Sequence, residues 1–226
     1  MDSTRKAALL RTCPLFGRLS TAELEQLAGQ TALRRYRRGQ VLFFEGDPGD
    51  SLLVVAEGRL KVLTRSETGE DLLLAVVGAP DSIGTLAIAD GGPRSATVEA
   101  LTDTAVLRVA RTDIMRLAAA GPTVNDALVV MLAAVVRRLT GTAADLVFLD
   151  MPRRLAKLLL EKCRVVGGGD VVDLPLTQAE IASSIGASRQ SVNATLRDFQ
   201  RRGWITADGP VLRVRDIAAL TRFAGS

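Results

Sequence analysis

Histidine is absent from this 226-residue chain, and that absence removes whole classes of chemistry. No Ser-His-Asp or Cys-His nucleophile can be assembled, and histidine-ligated zinc or haem is excluded as well. Cysteine is nearly as scarce. Cys13 and Cys163 stand far apart with no C-x-x-C between them, too few ligands for an iron–sulfur cluster, so they read as two reduced thiols. Aromatic residues make up 4% of the chain, which leaves Leu, Val, Ile and Ala to build a core. Met1-Asp2-Ser3-Thr4-Arg5-Lys6 leads into no signal-peptide core. No uninterrupted run approaches the ~18 apolar residues of a membrane span. These shortages predict a soluble, cytoplasmic protein with no membrane partner, no metal site and no catalytic residues.

What is present is a core-forming composition, 47% apolar, and an uneven charge. Residues 151–226 carry 12 Lys/Arg against 7 Asp/Glu, whereas residues 1–150 carry 17 against 18. The positive excess sits in the last third, where a polyanion partner is expected.

The pattern changes twice along the chain. Ser20-Thr21-Ala22-Glu23 fits a capping box opening a short helix that carries Leu24 and Leu27. From about Leu33 to Ala110, short apolar runs alternate with turn chemistry. The runs are Val41–Phe44, Leu52–Val55, Leu60–Leu63, Leu72–Val77, Ala96–Ala100 and Ala105–Val109. The turns include Gly46-Asp47-Pro48-Gly49-Asp50, Glu57-Gly58, Thr68-Gly69 and Asp90-Gly91-Gly92-Pro93. That spacing predicts an antiparallel barrel or jelly roll. After Gly121-Pro122 the period becomes helical. Leu128, Leu132, Val135, Leu139, Thr142, Leu146 and Leu149 recur at spacings of 4 and 3, an a/d seam that predicts a dimerisation helix despite the cost of Gly141. Leu128, Leu132, Val135, Leu139 and Leu146 are its candidate contacts.

Asp150-Met151-Pro152 marks a hinge, with Asp150 as N-cap and Pro152 in the first turn of a new helix. Gly167-Gly168-Gly169 is read as a flexible loop closing that helix. Thr177-Gln178-Ala179-Glu180 forms a second capping box. A helix with Ile181, Ala182 and Ile185 follows, then Gly186 as a tight turn. Ser188 caps a further helix whose Val192, Leu196 and Phe199 form a buried face. Helix, glycine turn and helix in this pattern predict a helix-turn-helix. Its second helix offers Arg189, Gln190, Asn193 and Ala194 to base edges, and Ser188, Arg197 and Arg201 to phosphates; Thr177 and Ser191 are further candidate DNA contacts. Trp204–Ala207 and Val211–Val214, flanking Asp208-Gly209-Pro210, read as a small hairpin wing. The predicted organisation is a β-barrel domain with N-terminal helices over residues 1–122, a long helix over 123–149 and a winged helix-turn-helix over 150–226, an α+β architecture.

In the order and spacing of these blocks the chain resembles the cyclic-AMP receptor protein/FNR family of bacterial transcription regulators, and its actinobacterial members most. The resemblance rests on residues 39–62, GQVLFFEGDPGDSLLVVAEGRLKV, on 83–100, IGTLAIADGGPRSATVEA, on 145–160, DLVFLDMPRRLAKLLL, and on 176–205, LTQAEIASSIGASRQSVNATLRDFQRRGWI. It implies that the barrel is an effector-binding domain, a jelly-roll cyclic-nucleotide-binding domain, and it implies a homodimer on a palindromic double-stranded DNA operator. RNA polymerase would be a partner if the protein activates. It further implies a phosphate cassette at Gly84, Leu86, Arg94, Ser95 and Ala96, with cyclic AMP or another cyclic nucleotide as effector. Thr85 stands where the family carries a glutamate that accepts from the ribose 2′-hydroxyl. The loop before Arg94 is about one residue short. Thr140 and Thr142 are the candidates for the base-contacting pair. Arg189 matches the family's guanine-reading arginine, while Gln190 and Ala194 replace its usual Glu and second Arg, so the operator should differ at two positions per half-site. The alternatives are an effector-independent regulator with a degenerate pocket, and a sensor module acting through protein partners.

Overall fold

The computed structural model describes residues 1–65, 71–165, 177–208 and 211–225. Thr68-Gly69, Gly167–Gly169, Leu176 and Gly209-Pro210, and the side chain of Cys163, lie outside the described residues. In chain order the elements are α1 (Ser3–Thr12), α2 (Thr21–Gln30), β1 (Ala32–Tyr36), β2 (Val41–Phe43), β3 (Ser51–Glu57), β4 (Arg59–Arg65), β5 (Asp71–Gly78), β6 (Ser82–Ile83), α3 (Thr85–Asp90), β7 (Thr97–Ala100), β8 (Thr104–Ala110), α4 (Arg111–Ala120), α5 (Pro122–Phe148), α6 (Met151–Val165), α7 (Gln178–Ser184), α8 (Arg189–Arg201), β9 (Ile205–Asp208), β10 (Val211–Val214) and α9 (Ile217–Gly225). The chain divides into two compact units, residues 1–65 with 74–138 and residues 66–73 with 139–226, so that the division falls inside β5, before Leu74, and inside α5, after Arg138.

The first unit is built on two four-stranded sheets, ordered β1-β8-β3-β6 and β2-β7-β4-β5. The six strands expected from the apolar runs all form. β1 and the two-residue β6 are additions, too short or too charged to announce themselves. β3 is buried on both faces. Alternate residues of an extended strand point to opposite sides, and here Leu53 and Val55 join Leu60, Val98 and Val106 in a core drawn from both sheets. Leu52 and Val54 meet instead a helical layer containing Leu10, Phe16, Leu24, Leu27, Ile114, Val124 and Leu128. That double burial is why the Leu52–Val55 run is continuously apolar rather than alternating. The capping box forms as expected: Glu23 N–H donates to Ser20 Oγ, and Ser20 N–H donates to Glu23 Oε2.

Leu128 is therefore a core residue of its own chain, 6% exposed, and not free to meet a partner helix as the seam expectation required. Of the five candidate contacts, Leu139 and Leu146 are exposed, while Leu128 is buried within its own chain. The outward face of α5 holds Val129, Val136, Leu139 and Leu146, with Val129 65% exposed. An 18-residue window of α5 has a mean hydropathy of 1.6. By length and composition it could cross a bilayer, contrary to the run-based expectation. A run count stops at every Thr, Asn or Gly, and an average does not.

In the second unit, helix starts follow their caps. Arg153 N–H donates to Asp150 Oδ1 at 3.0 Å, opening α6. Thr177 and Glu180 close the second capping box on α7, and Ser188 Oγ accepts from Ser191 N–H to start α8. Gly186 takes φ +61° between α7 and α8, a conformation that costs a glycine little. Val192, Leu196 and Phe199 are buried as predicted, with Thr195 beside them. Phe199 stacks against Trp204 and Phe223 at centroid distances of 5.3 and 5.7 Å, within the favourable range for aromatic pairs. β9 and β10 pair antiparallel, with Val214 opposite Ile205, giving the hairpin expected there.

Candidate functional site

A cavity of about 390 Å³ opens in the first unit, within the ~300–1,000 Å³ usual for small-molecule sites. Its walls are mostly apolar. Phe43, Val62, Ala75, Val77 and Val98 come from the sheet, and Met131, Ala134 and Val135 from α5. All five cassette residues singled out in the sequence, Gly84, Leu86, Arg94, Ser95 and Ala96, line it, and so does Thr85.

Arg94 dominates its chemistry. The residue is 5% exposed, yet only part of its guanidinium is satisfied. Nη2 donates to Ser51 Oγ at 3.1 Å. The Phe43 ring lies under the guanidinium carbon at 4.2 Å, a cation–π distance. The Asp50 carboxylate is 4.0 Å away. Nε and Nη1 have no hydrogen-bond partner among the described residues. Burial pulls the Arg94 pKa below the usual arginine value and Asp50 pulls it back up. Arginine remains charged in such surroundings, so the cavity wall carries a buried cation with donors to spare. Leaving a buried donor unpaired costs about 1–3 kcal/mol, more when charged, and an anion in the cavity would remove that penalty.

The orientation of Arg94 is set by a short chain of bonds. Ser51 Oγ, which accepts from Arg94, donates to Asp50 Oδ1 at 3.0 Å. Asp50 in turn accepts from Arg108 at 2.6 Å. Gly84 adopts φ +99°, and a Cβ there would collide with Arg94 Nη1. The glycine thus serves both the backbone turn and the close approach of the guanidinium. Sequence reasoning missed Ser51 and the α5 lining residues. For the latter the helical period held the signal: Met131, Ala134, Val135 and Arg138 share one face at spacings of 3, 1 and 3.

Two expected ligand contacts are not part of this cavity. Thr140 and Thr142 lie beyond Arg138, the last residue of α5 to line it, and both are exposed. The resemblance put the base-contacting pair in the long helix, with Thr140 and Thr142 as the nearest match, and the lining of this cavity ends before them. Val135, placed in the dimer seam by its spacing, faces the cavity instead.

On α8 the exposed face carries Ser188, Arg189, Gln190, Ser191, Ala194 and Arg197, opposite the buried Val192, Leu196 and Phe199. Thr177 is exposed at the start of α7. Asn193 is half-buried, and its Oδ1 is buried with no hydrogen-bond partner among the described residues.

Comparison with known proteins agrees with this division. The cyclic nucleotide-binding domain family matches residues 33–120, and the Crp-like helix-turn-helix domain family matches residues 153–223. A Mycobacterium tuberculosis protein named CRP-like cAMP-activated global transcriptional regulator is 34% identical over 96% of this chain and 98% of its own length. The cyclic AMP receptor protein of Thermus thermophilus is 29% identical over 95% of this chain and 98% of its own. Among solved structures, FixK2 from Bradyrhizobium japonicum superposes with a TM-score of 0.79 at 21% identity, covering 87% of this chain and 98% of that one, a likeness of fold.

Proposed function

The chain belongs to the cyclic-AMP receptor protein/FNR family of transcription regulators, and from that membership we propose that it acts in the cytoplasm as a homodimer whose operator binding is set by a cyclic nucleotide, cyclic AMP being the first candidate. It is a DNA-binding regulator rather than an enzyme. The observation that carries the effector reading is Arg94, buried at 5% exposure with two donors unmatched among the described residues, in the lining of a cavity of ligand size. The phosphate of a cyclic nucleotide would take those donors, Ser95 would complete the polar end, and the apolar walls would hold the base.

The outward face of α5 supports the dimer. Val129, Leu132, Val136, Leu139 and Leu146 follow one another at spacings of 3, 4, 3 and 7, a seam that a second copy would cover by knobs-into-holes packing. Two copies would present two α8 helices to half-sites one helical turn apart, hence a palindrome. If the protein activates, RNA polymerase is its further partner. Ligand binding would act by population shift: a nucleotide that contacts α5 favours whichever helix arrangement it fits better, and only that difference in affinity moves the equilibrium.

Calorimetry with cyclic AMP and cyclic GMP tests the effector. Binding by the wild type, with at least a hundredfold loss in Arg94→Ala, is expected. Silence with both nucleotides together with tight operator binding would favour the effector-independent reading. Arg189→Ala should cost about 1–3 kcal/mol at one base pair per half-site. An unchanged preference across single-base operator variants would remove Arg189 from base readout.

A further inference from the structure

The polar groups around the cavity limit which parts of a ligand it can distinguish. Arg94 is the buried charge in its lining. Close to it stand Gly84, which has no side chain, and the neutral hydroxyls of Thr85 and Ser95, Thr85 being 8% exposed. The other charged lining residues, Asp81 and Arg138, are exposed, where water weakens charge-assisted hydrogen bonding. Asp50 is outside the lining and is held by Arg108. The remaining walls are almost entirely hydrocarbon.

A 3′,5′-cyclic nucleotide carries its 2′-hydroxyl on the carbon next to the one that bears the phosphate. With the phosphate on Arg94, that hydroxyl would lie a short way along the same wall, which Gly84, Thr85 and Ser95 line and where a Cβ on Gly84 would already meet Arg94 Nη1. No buried carboxylate waits there to accept its proton. A neutral hydroxyl partner changes affinity by about twofold to tenfold, whereas a buried ionic acceptor changes it by about one to two powers of ten in total.

Resting on the cyclic-nucleotide reading of the cavity, we infer that the site does not select for the ribose 2′-hydroxyl. It accepts ribo- and 2′-deoxyribo-cyclic nucleotides with affinities within tenfold of each other, and Thr85 is the residue that sets this indifference. The ligand class is accordingly broader than one sugar: a cyclic phosphate joined to an apolar-faced ring, with the sugar edge unread.

Isothermal titration of the full-length protein with 3′,5′-cyclic AMP and with its 2′-deoxy analogue tests this directly. The expected ratio of dissociation constants is below ten for the wild type. Thr85→Glu should raise that ratio at least tenfold, by placing a carboxylate where the hydroxyl now stands. Should that variant not fold, the wild-type ratio decides alone. A wild-type ratio above ten overturns the inference while leaving the nucleotide reading intact. An unchanged ratio in a folded Thr85→Glu protein removes Thr85 as the determinant. Binding of neither nucleotide overturns the cyclic-nucleotide reading, and the inference falls with it.

Discussion

Lys157 on α6 closes an ion pair of 2.6 Å with Asp145 on α5, bridging the point where the two helices part at Leu149 and Asp150. Arg154 reinforces it. Its Nη1 donates to Leu149 O at 2.8 Å and its Nε to Ile185 O at 3.0 Å. The break between the helices is therefore held from both sides, by a charge pair and by a guanidinium that satisfies the carbonyl ends of two elements.

The pair is half-exposed, so its contribution is modest. A double-mutant cycle with Asp145→Asn and Lys157→Met, read by urea denaturation, should give a coupling of about 0.2–1 kcal/mol that shrinks in high salt. Zero coupling at low salt would reduce the contact to coincidence.

Arg94→Met should separate stability from binding. The substitution removes a buried cation with unmatched donors and keeps most of the side-chain volume, and Asp50 retains Arg108 as its partner. The ligand-free protein should be as stable as the wild type or firmer by up to about 2 kcal/mol, while nucleotide binding disappears. Chemical denaturation and calorimetry on the same sample check both halves.

Ser51→Ala should weaken nucleotide binding about tenfold, since a hydrogen bond to a charged group is worth roughly 1.5 kcal/mol or more. Ser51→Thr, which keeps the acceptor, should restore it. Equal losses in both variants would assign Ser51 to packing alone.

Gly84→Ala meets two obstacles at once, φ +99° and the guanidinium of Arg94. A destabilisation of about 1–3 kcal/mol is expected, with a parallel loss of nucleotide affinity because Arg94 must move.

Cys13 is fully buried, and burial pushes its thiol above the usual range. In a Cys163→Ser background a thiol reagent should label it only on unfolding. Its folded pKa exceeds the unfolded value, so the folded state keeps the proton longer. This contribution to stability is complete below the unfolded thiol pKa and is lost as pH rises through the folded one. Denaturation midpoints in urea should therefore fall above about pH 8.5, and less so in Cys13→Ala.

Much of this was legible because local rules and global fold agree. Ser20, Asp150, Thr177 and Ser188 each cap the helix that their chemistry announces, and the turn-punctuated runs became strands. The cassette from Gly84 to Ala96 lines one cavity as its pattern suggested. What the sequence hid was roll and depth. Leu128, Val135 and Val136 are equally apolar and almost adjacent, and only packing decides that the first enters a core, the second a cavity wall and the third faces outward. Ser51 was invisible because one serine at a strand start looks like any other until Arg94 is placed beside it. Thr140 and Thr142, placed by resemblance to a family position, fall outside this cavity because resemblance does not fix where its wall ends.

One stretch of α5 faces two ways. Met131 and Val135 border the cavity while Val129 and Val136 point outward, all on about two turns of a rigid rod. Side-chain tips ride roughly 5 Å from a helix axis, so a ten-degree twist imposed at the inner surface carries the outer tips sideways by close to 1 Å. Interlocked side chains tolerate little displacement of that size before they must choose another fit. On the proposed reading, a ligand too small to touch anything outside the barrel would thus still bias how the far side of this helix meshes with a second copy.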